Sequence, residues 1–177
     1  MKKRYTEKWN KLFVALDQKI AKWMREWSIP AIRISFGIIF IWFGILKPFG
    51  LSSAEDLLKA TVAWLPVGKP EFWLNMIGWW EVAIGVAFLF ARATKIAIAL
   101  LLLQMVGTFM PLVIMPEVTF QNGKIFLPTL EGQYIIKNVM IISAALVLGG
   151  KYDQAENKYN GRQSKEIPKE LNMTMKK

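Results

Sequence analysis

Apolar residues in this chain gather into four long runs, at residues 29–46, 72–90, 94–115 and 133–149. Each is close to the roughly 20 residues that a helix needs to cross a bilayer core. Pro30 stands where a helix start tolerates it, Lys47-Pro48 closes the first run, and Gly149-Gly150 reads as the stop signal of the last. Pro111 should kink the outer end of the third helix, with Gln104 facing inward below it. Ahead of the first run, Tyr5, Trp9, Leu12, Leu16, Ile20, Trp23 and Trp27 recur at spacings of three and four. Lys8, Lys11, Lys19 and Lys22 fall largely elsewhere on the same helical wheel. A Trp-rich stripe beside a Lys-rich face predicts an amphipathic helix lying in the membrane interface. A solvated arm or a docking helix for a partner is the plainer alternative.

The connections carry their own signals. Ser52-Ser53-Ala54-Glu55 has capping-box spacing and predicts a short helix running toward Leu65. Asn122-Gly123, between the β-prone stretches 118–121 and 124–126, predicts a small hairpin over the outer face. The polar tail after Tyr152 is expected to be disordered. The fold predicted is therefore all-α: a four-transmembrane-helix bundle with an N-terminal amphipathic helix and an outer-face hairpin. Its parts are the arm 1–27, the membrane segment 28–150 and the basic tail 151–177.

Charge gives an orientation. Lys and Arg number eight in the arm, two in the turn between the second and third runs (Arg92, Lys95) and seven in the tail. The two other loops hold only Lys47, Lys59, Lys69 and Lys124. Seventeen against four places both termini on the cytoplasmic side of an inner membrane. The formal net charge is +10, but the basic residues flank apolar spans, so anionic lipid head groups are the expected partner and nucleic acid is not. The first apolar run follows too long a charged stretch, and lacks the small-residue cleavage site, to be a signal peptide. The chain has no cysteine and no histidine, which excludes His-ligated haem, Cys/His zinc sites, thiol nucleophiles and disulfides.

Ionisable groups inside the spans carry the candidate chemistry, because each costs several kcal/mol unless paired or hydrated. Glu81 lies near the middle of the second span between Gly78 and Gly85. Arg33 and Lys137 lie about one turn to either side of the midplane. Arg33, Gly37, Phe40, Gly44 and Lys47 share a face of the first helix. The expectation is that Glu81 pairs with Arg33, Lys137 or both, with Asn138 and Gln104 completing the network. Trp79 and Trp80, unusually deep for Trp, would wall a flat apolar site; bulky packing residues are the bland reading. Lys47 and Glu131 are placed at the outer mouth, where an exposed pair contributes little. Buried pairs that only fix which helix faces which remain the structural alternative to a functional centre.

Four features together resemble the DoxX family of small bacterial membrane proteins. They are Arg33 and Gly37 in "RISFGIIFIWFGILKPFG", Lys47 at its end, Glu81 in "GWWEVAIG", and "LEGQYIIKN" opening the last span. The resemblance covers about residues 28–150. It implies a four-helix bundle and does not fix one activity. Relatives include the DoxD-type subunit of thiosulfate:quinone oxidoreductase, members linked to oxidative stress, and animal members resembling assembly chaperones. Three functions follow as expectations. The first is a membrane subunit of a quinone-linked redox system, with an oxidoreductase partner subunit supplying electrons. The second is a non-enzymatic scaffold, and the third a proton or small-solute conductor, which would need a homo-oligomer. The residues leave open whether the chain is an enzyme.

Overall fold

The computed structural model describes the backbone of residues 2–174 and the side chains of residue 11, residues 13–154 and residue 157. Seven helices follow in order: α1 (Lys2–Leu46), α2 (Glu55–Val62), α3 (Pro70–Leu89), α4 (Thr94–Phe109), α5 (Pro111–Ile114), α6 (Pro116–Thr119) and α7 (Leu130–Thr174). Four helical stretches, Phe13–Leu46, Pro70–Leu89, Ala91–Ile114 and Leu130–Gln154, are long and apolar enough to cross a membrane. They form the expected all-α bundle, and among the described residues there is no strand. α1 runs antiparallel to α3. The Ala91–Ala93 turn between α3 and α4 lies at the end where α1 enters and α7 leaves, here the arm end. α2, α5 and α6 lie at the opposite loop end.

The core is made of residues that repeat on one face of each span. Phe36 and Phe40 of α1, Ile84 and Phe88 of α3, Leu101 and Met105 of α4, and Ala145 and Leu148 of α7 are all buried together. Phe36 meets Phe88 edge to face, with ring centroids 5.2 Å apart, an arrangement that aromatic quadrupoles favour. The other faces expose Ile, Leu, Val, Phe and Trp along the spans, which suits hydrocarbon rather than water.

Both long helices outrun their predicted limits. α1 is one helix from the arm into the span, with Pro30 inside it. Pro30 removes one backbone donor and strains one turn, an interruption that membrane helices tolerate because neighbouring groups re-satisfy the freed backbone. At 45 residues it is roughly 68 Å long, more than twice a hydrocarbon core. The exposed residues Leu16, Ile20, Trp23 and Trp27 continue the predicted stripe; Tyr5, Trp9 and Leu12 lie outside the described side chains. α7 likewise passes through Gly149-Gly150 to Thr174 instead of stopping. Glycine weakens a helix by about 1 kcal/mol per residue but does not end it unless the chain also turns.

At the loop end, α2 forms where expected but without the capping box: Ser52 Oγ accepts a hydrogen bond from Ala54 N at 3.3 Å, and α2 starts at Glu55. Lys59 then bridges Glu55 (2.8 Å) and Glu71 (3.5 Å), tying α2 to the start of α3. The adjacent Glu55 carboxylate raises the Lys59 pKa above its ordinary value. The hairpin is a correction. Asn122 and Gly123 do take the positive φ that the turn requires, 51° and 67°. Only one antiparallel bridge, Phe120 to Pro128, follows. Pro128 has no N–H to extend a ladder, and Pro116 sets φ for a helical turn, so α6 takes Val118 and Thr119, the first half of the expected first strand.

Candidate functional site

Two glycine pairs set the register of α1 against α3. A Cβ on Gly44 would lie 2.7 Å from the Gly78 carbonyl oxygen, and one on Gly85 would lie 2.7 Å from that of Gly37. The backbones therefore touch at Gly37–Gly85 and Gly44–Gly78, the close approach that small residues permit in membranes. Glu81 lies between these contacts, and the bare face of Gly44 receives its Cβ: an added Gly44 Cβ would be 2.9 Å away. The seam thus shields the carboxylate from lipid.

This register places Ile41 level with Glu81, so Lys47 starts six residues, roughly 9 Å, nearer the loop end. Side-chain direction closes that gap. Helix side chains lean toward their own N-terminus. α1 and α3 are antiparallel, so Lys47 leans inward from the loop end while Glu81 leans outward to meet it. The Lys47 ammonium forms a salt bridge with Glu81 Oε2, and the two side chains are only 8% and 12% exposed. Lys47 Nζ also donates to the Phe43 carbonyl at 3.5 Å. Across the bundle, Gln104 Nε2 of α4 donates to Glu81 Oε1 at 2.7 Å. Each carboxylate oxygen has a partner, and a buried charge so neutralised is tolerable where a lone one is not.

The remaining candidate residues fall elsewhere. Arg33 does not reach Glu81: it leans toward the arm end, where Nη1 donates to the Tyr152 hydroxyl of α7 at 3.0 Å. Lys137 is also a correction. α7 begins at the loop end, so this side chain leans outward, and its ammonium lies exposed 5.1 Å from the Tyr134 ring centroid. Asn138 donates to the Tyr134 and Ile135 carbonyls of its own helix, at 3.1 and 3.0 Å, and so joins no network across the bundle. Trp79 is 57% exposed on the outside of α3, which leaves Trp80 as the inward Trp; its Nε1 donates to the Leu100 carbonyl at 3.4 Å. Glu131 is exposed and does not meet Lys47, which is turned away into the bundle. Lys47 belongs to the centre rather than the mouth, and the signal that places it there is the glycine register combined with side-chain lean.

The centre is a buried ammonium with a half-buried carboxylate and amide, on three helices. It leaves some hydrogen-bonding capacity unused. Gln104 Oε1 is a buried acceptor with no partner. Lys47 has three N–H donors, and Glu81 and Phe43 engage two of them. One donor and one acceptor are therefore free beside a group able to hold or release a proton. Among the described residues no group of three His, Cys, Asp or Glu is placed to hold a metal ion.

The DoxX family model matches residues 28–115, which span α1 from Ser28, all of α3 and α4, and so every member of the Lys47–Glu81–Gln104 centre. No curated protein and no solved structure matches the chain.

Proposed function

This chain belongs to the DoxX family through residues 28–115, and on that premise we propose that it is the membrane subunit of a quinone-linked redox system. The observation that carries the reading is the unused donor and acceptor at the Glu81 centre, set within apolar spans. A quinone or quinol oxygen is a small polar group on an apolar ring, able to accept from Lys47 or donate to Gln104 Oε1. Such a ligand would supply the reversible two-electron chemistry that a chain without cysteine thiols does not carry in its own side chains. Lys47 would orient its oxygen and offset developing negative charge. Glu81 would take up or release the proton, with Gln104 holding the carboxylate in place. Electrons would come from a partner oxidoreductase subunit, and both termini would face the cytoplasm as the Lys and Arg bias predicts.

One observation favours the scaffold reading as an alternative. Both Glu81 oxygens already have partners inside the chain, as in a centre that only fixes helix pairing. One titration separates the two. Purified protein in lipid is titrated with a short-chain quinone while Trp fluorescence is followed. The redox reading predicts saturable quenching that Glu81→Gln and Lys47→Met each abolish while helix content is unchanged. The scaffold reading predicts no saturable quenching and a stoichiometric membrane partner on gentle extraction.

A further inference from the structure

Arg33 is a half-buried cation that no carboxylate of the described residues neutralises. Its one hydrogen-bond partner across the bundle is a neutral phenol, Tyr152, and its Nε is buried with no partner. Among the described residues no carboxylate forms a salt bridge with it. The acid next before Arg33 in the chain and the acid beside Tyr152 have other partners: Glu26 lies 3.9 Å from Lys22, and Asp153 Oδ2 accepts from Asn157 at 2.9 Å. A guanidinium within an apolar span is expensive without an anion, and Lys47 at the other end of the same span has one.

The missing anion has a defined place. Arg33 lies only a few residues inside the arm end of its span, and it leans toward that end. Tyr152 lies three residues beyond the 133–149 apolar run of the sequence. Their meeting point therefore falls where α1 and α7 touch near the arm end of the 29–46 and 133–149 apolar runs, close to where head groups begin. Arg92 and Lys151, both exposed, lie at the same end and attract anionic lipid. Guanidinium groups offer several N–H donors in a planar fork that suits phosphate oxygens. The Tyr152 hydroxyl accepts from Arg33 and still has its own O–H to donate.

We propose that Arg33 and Tyr152 form a site for the phosphodiester of an anionic phospholipid, seated between α1 and α7 at the arm end. The lipid acts as the counter-ion of Arg33 and joins α7 to α1. This site is separate from the Glu81 centre and does not depend on the quinone reading.

The full chain, delipidated in a neutral detergent, is offered phosphatidylglycerol, phosphatidylcholine or inorganic phosphate and examined by native mass spectrometry. The site predicts phosphatidylglycerol retention about tenfold above phosphatidylcholine, whose choline cation offsets its phosphodiester charge beside Arg33, Arg92 and Lys151. Arg33→Gln should lower it to the phosphatidylcholine level, and Arg33→Lys should keep part of it. Tyr152→Phe removes one hydroxyl without touching the charge, and should weaken retention even if Arg33→Gln fails to fold. Inorganic phosphate should neither bind alone nor displace the lipid. Equal retention by the wild type and Tyr152→Phe together with Arg33→Lys, or no preference for phosphatidylglycerol, overturns the site. Displacement of the lipid by inorganic phosphate overturns its assignment to a phospholipid.

Discussion

Lys47 and Arg33 sit at opposite ends of the same apolar span of α1, and only Lys47 has an anionic partner within the chain. Lys47 has a carboxylate on the neighbouring helix, and that carboxylate has a second partner in Gln104. Arg33 has one phenol hydroxyl and an orphaned Nε. Both side chains lean toward the α1 N-terminus. For Lys47 that direction leads into the bundle and toward Glu81; for Arg33 it leads out toward the membrane surface. The difference teaches that height along a span is a poor guide to pairing in a helical membrane protein. Two residues at comparable distances on either side of an acid can fare oppositely, because the lean adds to one separation and subtracts from the other.

Breaking one member of the loop-end pair should have the largest effect. Lys47→Met leaves Glu81 buried with only an amide partner, so the folded bundle should lose about 3–5 kcal/mol, read by denaturation in mixed micelles. The next effect tests the seam that makes the pair possible. Gly44→Leu forces a side chain toward the Gly78 carbonyl, only 2.7 Å from where its Cβ would stand. The α1–α3 contact should open, at a cost of about 1–3 kcal/mol or more. Gly107, on the same helix as Gln104, is the contrast: a Cβ there meets nothing within 4 Å. Gly107→Ala should stabilise the bundle by about 0.5–1 kcal/mol through helix propensity alone. Smallest of all, Lys137→Gln should change stability by less than about 0.5 kcal/mol, because its ammonium is exposed over Tyr134. A large loss at Lys137 would mean that α7 brings a second basic group to the centre, and the comparison between the two ends would need redrawing.

Much of the framework was legible in the sequence. Apolar run lengths marked the four spans, and glycines seven apart in both the first and second spans foreshadowed the seam. Glu81, flanked by two of them, was recognisable as a buried acid, and Gln104 as a residue facing it. Its basic partner was not, because vertical offset alone favoured Arg33 and Lys137 over Lys47. Reading the lean of side chains on antiparallel helices would have reversed that choice. Asn138 was misplaced for a local reason: its amide is satisfied by the carbonyls of its own helix. The continuity of α1 through Pro30 and of α7 through Gly149-Gly150 was hidden, because both signals usually mark a helix boundary and here lie inside long helices. The outer hairpin was half legible, in that positive φ at Asn122 and Gly123 follows from residue type. The extent of pairing depended on Pro116 and Pro128 outside the turn.

The measurement that bears most directly on the centre is a double-mutant cycle on Lys47 and Glu81, following bundle stability in mixed micelles. The paired centre predicts that Lys47→Met is strongly destabilising alone, and that adding Glu81→Gln recovers much of the loss. The coupling should be about 2 kcal/mol or larger, as for contacting charges buried together. Additive effects, with no coupling between the two sites, would contradict the pairing and remove the basis for a polar centre at Glu81.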